Sequence, residues 1–389
     1  MSRRQTASRI LLLGGLSAFG PLSMDMYLPG LPALARDFGT RESVIQLTLT
    51  SCLVGLAVGQ LLAGPLSDAL GRRRPLLAGL AGYVLVSAGC ALAPTAGVLI
   101  GLRLLQGLGG GASIVIARAV VRDLYAGAAA ARFFALLILV TGAAPMIAPL
   151  LGGQVLRFTA WRGIFVILAA IVAALAAGTF LKLRETLPAE RRRAGGLKAT
   201  LRSFRALLED RPFIGHAFAL SLAFAAMFTY VASSPFVLQG RYGLSAQAFS
   251  LVFAVNALGL MAAGQLSARV VGRVGPRRLL KAGLAANAAG GLALLAAVTV
   301  LDLGLAGVLP ALFVVVASIG LVMPNATALA LADQGEIAGA ASAVVGLLQF
   351  AVAGVVAPLV GLGGASSAVP MAATMAALGL AAVAVRPRR

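Results

Sequence analysis

The stretch LLLGGLSAFGPLSMDMYLPGLP, from Leu11 to Pro32, decides the fold because it is long and apolar enough to span a membrane. It contains a single carboxylate, Asp25. A carboxylate inside a membrane is costly, so by default it marks a functional site. The other acids of the chain all lie in or beside polar connections between apolar stretches. Asp25 is therefore the predicted functional acid of a membrane-spanning segment.

The composition of the whole chain is that of a membrane protein. Of its 389 residues, 60% are hydrophobic and 11% are charged, and the mean hydropathy is +0.97. This is too apolar for a soluble domain. Twelve stretches reach about the 20 residues that a transmembrane helix needs. They cover residues 10–32, 43–64, 76–94, 97–121, 133–156, 163–183, 213–236, 246–270, 278–301, 305–331, 338–362 and 366–385. The predicted fold class is an all-α membrane protein with twelve transmembrane helices.

The start of the chain and its cysteines each allow two interpretations. Three arginines precede the first apolar stretch, as in a signal peptide, but that stretch is too long and lacks a small-residue cleavage site. We therefore expect a retained first helix. The two cysteines, Cys52 and Cys90, lie inside apolar stretches, so we expect small core residues rather than a disulfide.

Positive charge is divided unevenly between the two sides of the predicted helices. The net charge is +20, and 26 of the 32 lysines and arginines fall on the side that holds both ends of the chain. Cytoplasmic loops carry such an excess, so both termini are predicted to be cytoplasmic. The bases lie between apolar stretches rather than on one continuous face, which favours a lipid bilayer over nucleic acid as the partner.

The two halves of the chain resemble each other. The matching segments are Gly59–Gln60 with Gly264–Gln265, and residues 148–150 with residues 357–359. A long polar interval separates the first six spans from the last six, and such duplication is typical of transporters. We predict two pseudo-symmetric six-helix bundles, at 1–183 and 212–389, joined by a cytoplasmic linker at 184–211.

The connection after the second span reads GQLLAGPLSDALGRRRPLL, from Gly59 to Leu77. Gly64 would permit close backbone approach, Pro65 would interrupt the helix, and Asp68 could pair with a base. The pattern fits an ordinary basic turn, but it also resembles, nearly position for position, the signature loop of the major facilitator superfamily. That resemblance implies a cytoplasmic gate formed by Gly64, Asp68 and Arg72.

Further stretches narrow the resemblance to drug:proton antiporters, in particular the bicyclomycin and chloramphenicol resistance (Bcr/CflA) group. The similar stretches are PLSMDMYLPGLP in span 1, SVIQLTLT at 43–50, GLRLLQGLGGGAS at 101–113, RDLY at 122–125 and ETLPAERR at 185–192. The group implies a multi-pass protein of the bacterial inner membrane that exports drugs in exchange for protons.

Arg103 is the second charge predicted inside the membrane. It lies about eight residues from the outer end of span 4, and Asp25 lies about seven from the outer end of span 1, so both are about 10–12 Å deep. Because the two charged side chains lie at equal depth, they could form an ion pair. Such an ion pair would either take part in proton coupling or only hold two helices together. In the resemblance, Arg103 belongs to the proton-coupling machinery, with Gln106 one turn away.

Two glycine-rich stretches invite different interpretations. The cluster at 107–111 resembles a phosphate-binding loop, but no strand precedes it, so we expect close helix packing. The stretch GAAPMIAPLLGG in span 5 resembles the antiporter helix signature, with Ala144 in the place of a glycine. The resemblance implies an outer-seal helix with Pro145, Pro149 and Gly152.

Uncharged polar, aromatic and methionine side chains are the candidates for a substrate cavity. They are Tyr27, Gln106, Met227, Tyr230, Asn256, Asn325, Gln349 and Phe350. A cavity lined by such side chains suits a neutral or weakly polar organic substrate, although packing is the simpler explanation for each side chain taken alone. The sequence has no metal-ligand cluster, nucleophile triad or nucleotide-binding loop. We therefore expect no cofactor, no bound metal and no enzymatic activity.

The predicted function is proton-coupled efflux of small hydrophobic drug-like compounds by alternating access. We expect a monomer whose partners are a small-molecule substrate, protons and the bilayer. A proton-coupled importer of a small nutrient or metabolite would use the same architecture. A non-transporting sensor of the same fold is a further alternative.

Overall fold

The computed structural model describes residues 3–125, 127–192, 206–334, 338–361, 363 and 367–385. This part of the chain contains helices, turns and bends and no strand. Twelve of its α-helices are long, and one, α2, is short. In chain order they are α1 (Arg3–Asp25), α2 (Leu31–Asp37), α3 (Glu42–Leu70), α4 (Arg73–Ala91), α5 (Ala96–Leu124), α6 (Gly127–Val155), α7 (Trp161–Lys182), α8 (Arg211–Pro235), α9 (Ala246–Val274), α10 (Pro276–Thr299), α11 (Gly304–Leu331), α12 (Ala338–Gly361) and α13 (Val369–Val385).

Each predicted span overlaps one long helix of the described chain. Nine helices there are long and apolar enough to cross a membrane, and two further apolar stretches, Val140–Val155 and Val369–Val385, are shorter. Helices are suited to this role because they satisfy every backbone hydrogen bond within the segment. The all-α membrane fold is therefore confirmed.

The ends of several helices are set by local sequence. Thr95, Asp210 and Ser245 cap α5, α8 and α9, because each side-chain oxygen accepts a hydrogen bond from the backbone N–H three residues later. Gly275 separates α9 from α10 with a φ of +86°, which is a conformation that favours glycine, and Pro276 then begins α10.

Two expectations about helix continuity are wrong. The first span does not run unbroken to residue 32, because α1 ends at Asp25 and a 3₁₀ turn, Leu28–Gly30, leads into α2. Conversely, Pro65 does not interrupt its helix, because α3 continues to Leu70. A proline removes only one backbone hydrogen bond, a loss that membrane helices tolerate.

The chain forms two compact units. The first comprises Met1–Phe38 and Ser51–Gly195, and the second comprises Gly39–Thr50 and Gly196–Arg389. The start of α3 belongs to the second unit because Gln46 Nε2 donates hydrogen bonds there to the Ala232 carbonyl at 3.2 Å and to Ser233 Oγ at 3.3 Å. The middle of the predicted linker, residues 193–205, lies outside the described residues.

Each unit has its own apolar core. In the first unit the core side chains come mainly from α1, α4, α5 and α7, and they include Leu13, Leu16, Phe19, Leu80, Tyr83, Val120 and Val172. In the second unit they come mainly from α8, α10, α11 and α12, and they include Phe213, Leu220, Leu284, Ile319, Val322 and Val344.

Candidate functional site

The candidate site of the first unit centres on Arg103, which lies two turns into α5 and is 0% exposed. Its Nη1 donates a hydrogen bond to Gln106 Oε1 at 2.5 Å and another to the Ser23 carbonyl at 3.2 Å. Gln106 Nε2 in turn donates to Ser87 Oγ on α4 at 2.8 Å. The guanidinium is therefore tied to α1, α4 and its own helix.

Two aromatic rings lie beneath the Arg103 guanidinium. The Arg103 Cζ atom is 4.7 Å from the centre of the Tyr27 ring and 5.8 Å from the centre of the Phe165 ring. Cation–π contacts of a desolvated guanidinium are worth about 2 kcal/mol each. Within the described chain, however, its buried Nε and Nη2 have no hydrogen-bond acceptor. Arg103 therefore keeps donors that an incoming acceptor can use.

Asp25 is the last residue of α1 and is partly exposed. Among the described residues, no ion pair joins it to Arg103, whose contact with this segment is instead the Ser23 carbonyl two residues earlier. Asp25 and Arg103 thus lie in the same region, as their predicted depths suggest, but they do not form an ion pair. The roles of Asp25 and Arg103 in proton coupling stay predictions.

The predicted outer-seal residues lie in α6, which stays helical through both Pro145 and Pro149. Pro149 is buried and Pro145 is partly exposed. A Cβ atom on Gly152 would collide with the carbonyl oxygen of Met26. Only glycine therefore allows α6 to approach the turn that follows Asp25 so closely.

The glycine cluster of α5 forms a close helix crossing, as the sequence predicts. A Cβ on Gly107 would collide with the Cys52 carbonyl, and one on Gly111 with the Leu56 carbonyl. Small residues permit such contact between membrane helices. Gly64 differs from the expectation, because a Cβ there would meet its nearest neighbour, Val115, at an ordinary 3.7 Å. No close backbone approach requires a glycine at that position.

The predicted gate residues Asp68 and Arg72 form a charged cluster with a second acid, Asp123. Arg72 Nη1 donates to Asp68 Oδ1 at 2.5 Å and to Ser67 Oγ at 2.8 Å, and Nε donates to Asp123 Oδ2 at 3.0 Å. The Arg72 residue is only 5% exposed. This cluster joins the end of α3, the start of α4 and the end of α5.

Sequence reasoning missed Glu185, which follows α7. Its carboxylate accepts hydrogen bonds from the backbone N–H groups of Arg72 at 2.7 Å, Arg73 at 3.2 Å, Thr186 at 3.0 Å and Leu187 at 3.1 Å. Burial alone would raise the pKa of Glu185, but these four donors outweigh burial and hold the pKa below its ordinary 4.5. Glu185 therefore anchors the turn at the start of α4.

Two further residues of this cluster were also missed. Gly71 has a φ of +89°, and a Cβ there would press against the Glu185 carboxylate, so the turn requires glycine. Asp123 accepts from Thr186 Oγ1 at 3.0 Å as well as from Arg72. The sequence did offer a reason to consider both acids. Asp123 lies in RDLY and Glu185 lies in ETLPAERR, and both stretches carry the family resemblance.

In the second unit, two of the predicted cavity residues bond to each other. Asn256 Nδ2 donates to Tyr230 Oη at 2.9 Å, and the Tyr230 ring stacks on Phe253 with 5.4 Å between ring centres. Both Asn256 and Tyr230 are buried. They form a polar contact between α8 and α9.

The other candidates of the second unit are dispersed. Asn325 Nδ2 donates to Ser267 Oγ and to the Leu321 carbonyl, both at 2.7 Å, so it joins α9 to α11. Met227 packs against the core of that unit, and the ring centre of Phe350 lies 6.0 Å from that of Phe224. Gln349 is buried, and its Nε2 has no acceptor within the described residues. Their predicted contact with substrate stays a prediction.

Comparison with known proteins identifies relatives over most of the chain. The model of the Major Facilitator Superfamily matches residues 13–358. An uncharacterized MFS-type transporter, YdgK of Bacillus subtilis, is 40% identical over 94% of this chain and 90% of the relative. A bicyclomycin resistance protein homolog of Haemophilus influenzae is 32% identical over 96% of this chain and 94% of the relative. A chloramphenicol resistance protein of Pseudomonas aeruginosa is 36% identical over 76% of this chain and 70% of the relative.

Solved transporters share the fold over nearly the whole chain. A bacterial homolog of the human lysosomal transporter Spinster, inward-facing and occupied, has a TM-score of 0.79 at 15% identity and covers 99% of this chain and 97% of its own. A D-xylose-proton symporter has a TM-score of 0.75 at 17% identity, covering 99% and 98%. The chain belongs to the major facilitator superfamily, a family of transporters rather than enzymes, and is related to bacterial drug-resistance proteins.

Proposed function

We propose that this protein exports small hydrophobic drug-like compounds, such as chloramphenicol or bicyclomycin, in exchange for protons. The observation that carries the proposal is the Asp25 carboxylate, which is partly exposed and is not locked in an ion pair with Arg103. A carboxylate in that condition is able to take up and release a proton. The names of two relatives, each covering most of this chain, supply the class of substrate.

In the proposed cycle, protonation of Asp25 and binding of substrate oppose each other. Thermodynamic linkage makes such opposition reciprocal, so proton entry promotes substrate release and substrate entry promotes proton release. Arg103 is the fixed positive charge of this region, because Gln106 and the Ser23 carbonyl hold its guanidinium. The Arg72 cluster is the proposed cytoplasmic gate, and alternating access moves the site between the two sides.

The proposed substrate is neutral or weakly polar. The cavity candidates of the second unit are all uncharged, and they combine aromatic rings with amide groups. They are Met227, Tyr230, Asn256, Asn325, Gln349 and Phe350. With one coupling acid, one proton per cycle is the expected stoichiometry, so exchange for a neutral compound moves net charge across the membrane.

The decisive experiment compares wild type with Asp25→Asn in a bacterial host that lacks its own efflux pumps. We expect wild type to protect against chloramphenicol or bicyclomycin and to lower drug accumulation in energised cells, and the variant to lose proton-driven efflux at normal membrane levels. Asp302→Asn is the matched control, since Asp302 is exposed in the loop before α11 and its φ of +41° suits asparagine.

Other outcomes would overturn specific parts of the proposal. Raised accumulation of a nutrient, with no protection against any drug, would identify an importer. Absence of any ligand-dependent proton flux would identify a non-transporting sensor. Full efflux by Asp25→Asn would show that another group carries the proton.

A further inference from the structure

Asp37, Trp161 and Arg162 form a compact group, here named the Asp37 clamp. A single oxygen, Asp37 Oδ2, accepts hydrogen bonds from Trp161 Nε1 at 3.0 Å and from Arg162 Nη1 at 2.5 Å. The hydrogen bond from Arg162, and to a smaller extent that from Trp161, holds the pKa of Asp37 below its ordinary value of 3.8. The Arg162 guanidinium also lies 4.2 Å from the Trp161 ring centre. The clamp ties the end of α2 to the start of α7.

A continuous series of aromatic contacts leads from the clamp to Arg103. The Trp161 ring meets Phe165 edge-on with 6.1 Å between centres, and Phe165 lies 5.4 Å from Tyr27. Tyr27 and Phe165 are the two rings beneath the Arg103 guanidinium. All three aromatic side chains are 2% exposed or less. Closely packed, buried groups of this kind transmit displacement rather than absorb it.

The geometry of two helices explains why the clamp bears on the site. Trp161 and Phe165 are four residues apart, so they share one face of α7. On the other side, the segment from Tyr27 to Asp37 begins at the break after α1 and ends at the clamp. Gly30 packs within this segment against Trp161, where a Cβ would lie 3.4 Å from the tryptophan Cβ. A shift of α2 relative to α7 must therefore move the rings beneath Arg103.

We propose that Asp37, Trp161 and Arg162 are positioning residues for Arg103, which they hold in place through the rings of Phe165 and Tyr27. None of the three contacts Arg103 through a hydrogen bond of the described chain, so the effect is indirect. Because coupling between sites is reciprocal, a change at Arg103 is also felt at Trp161. The functional consequence rests on the proposed role of Arg103 in transport, whereas the physical coupling does not.

Fluorescence tests the coupling directly, because Trp161 is the only tryptophan among the 389 residues. The full-length protein in lipid nanodiscs is compared with Arg103→Lys and with Gln106→Ala. The second variant removes one of the two hydrogen bonds that hold the guanidinium and leaves the clamp residues unchanged. We expect both variants to change the emission maximum or the acrylamide quenching of Trp161. Arg118→Lys is the control, because Arg118 is an exposed residue of the same helix about 22 Å farther along.

The coupling is overturned if Arg103→Lys and Gln106→Ala, both folded, leave the Trp161 spectrum and quenching the same as wild type. A change that Arg118→Lys produces equally would also overturn it, since the effect would then be global. Neither result depends on which compound the protein transports, or on whether it transports at all. Failure of this inference is thus distinguishable from failure of the proposed function.

A double-mutant cycle tests the consequence for transport. Trp161→Phe keeps an aromatic ring but removes the hydrogen bond to Asp37, and we expect about a three- to tenfold fall in the efflux rate constant. In an Arg103→Lys background the same substitution should have little further effect, since the group being positioned is already altered. Multiplicative losses in the double variant would overturn the positioning role, because they indicate independent sites.

Discussion

At the scale of single residues, the burial of Arg103 is the feature that needs a functional explanation. Two hydrogen bonds from Nη1 and two aromatic faces offset part of the desolvation of its charge. The buried Nε and Nη2 donors, which lack acceptors within the described residues, each cost about 1–3 kcal/mol. A purely structural residue would not retain such a cost, since an apolar side chain would pack better.

Glu185 gives a prediction at the same scale. Its pKa in the folded protein is held below 4.5, so its contribution to stability is fully present above that pH and is lost as the pH falls through the folded value. We expect the thermal unfolding midpoint of wild type to fall between about pH 6 and about pH 3.5, and to fall less steeply in Glu185→Gln. Scanning calorimetry or dye-based unfolding in detergent measures this slope.

Glu190→Gln is the control for this experiment. Glu190 is exposed five residues farther along the same segment, so its removal should leave the wild-type slope unchanged. Equal slopes for wild type and Glu185→Gln would mean that the backbone donors do not lower the pKa of Glu185 in the folded protein.

At the scale of elements, the crossing of α3 and α5 depends on glycine. Helix α5 must pass close to α3 so that Arg103 and Gln106 reach their partners on α1 and α4. A methyl group on Gly107 or Gly111 would occupy the position of a backbone carbonyl on α3. Unlike a side chain, a helical carbonyl cannot rotate away, so the helices themselves must separate.

We predict that Gly107→Ala destabilises the protein by about 1–3 kcal/mol, the usual cost of overpacking. The unfolding midpoint in detergent measures the effect, and transport should fall with it because Arg103 lies one turn away. Gly101→Ala on the same helix is the matched control, since a Cβ there meets nothing within 4 Å. A midpoint for Gly107→Ala equal to that of the control would disprove the close crossing.

At the scale of the whole molecule, charge distribution predicts the orientation in the membrane. The bases cluster on the side that holds both ends of the chain, and this side is predicted to be cytoplasmic. With this orientation, the Arg72 cluster is predicted to face the cytoplasm and the Asp37 clamp to face outward. The assignment fixes from which side protons and substrate enter the proposed cycle.

Cysteine labelling tests this orientation with little background, because Cys52 and Cys90 are both 0% exposed. We expect a membrane-impermeant maleimide to label Asp302→Cys in intact cells, and to label Arg74→Cys only after the membrane is opened. Asp302 is exposed in the loop before α11, and Arg74 is exposed in the first turn of α4, on the opposite predicted side. The reverse labelling pattern would invert the topology.

The sequence by itself determined the helices, since hydrophobic length is a local property that each stretch carries independently of its neighbours. It also predicted that Asp25 and Arg103 lie in the membrane, and it singled out Asp68 and Arg72, which the structure joins by a hydrogen bond, through their local motif. Asp123 and Glu185 were not found, because Glu185 lies more than a hundred residues from the turn that it anchors. Nor did the matching depths of Asp25 and Arg103 determine whether they pair. Only the packed tertiary structure decided such contacts, because they depend on how closely and at what rotation distant helices meet.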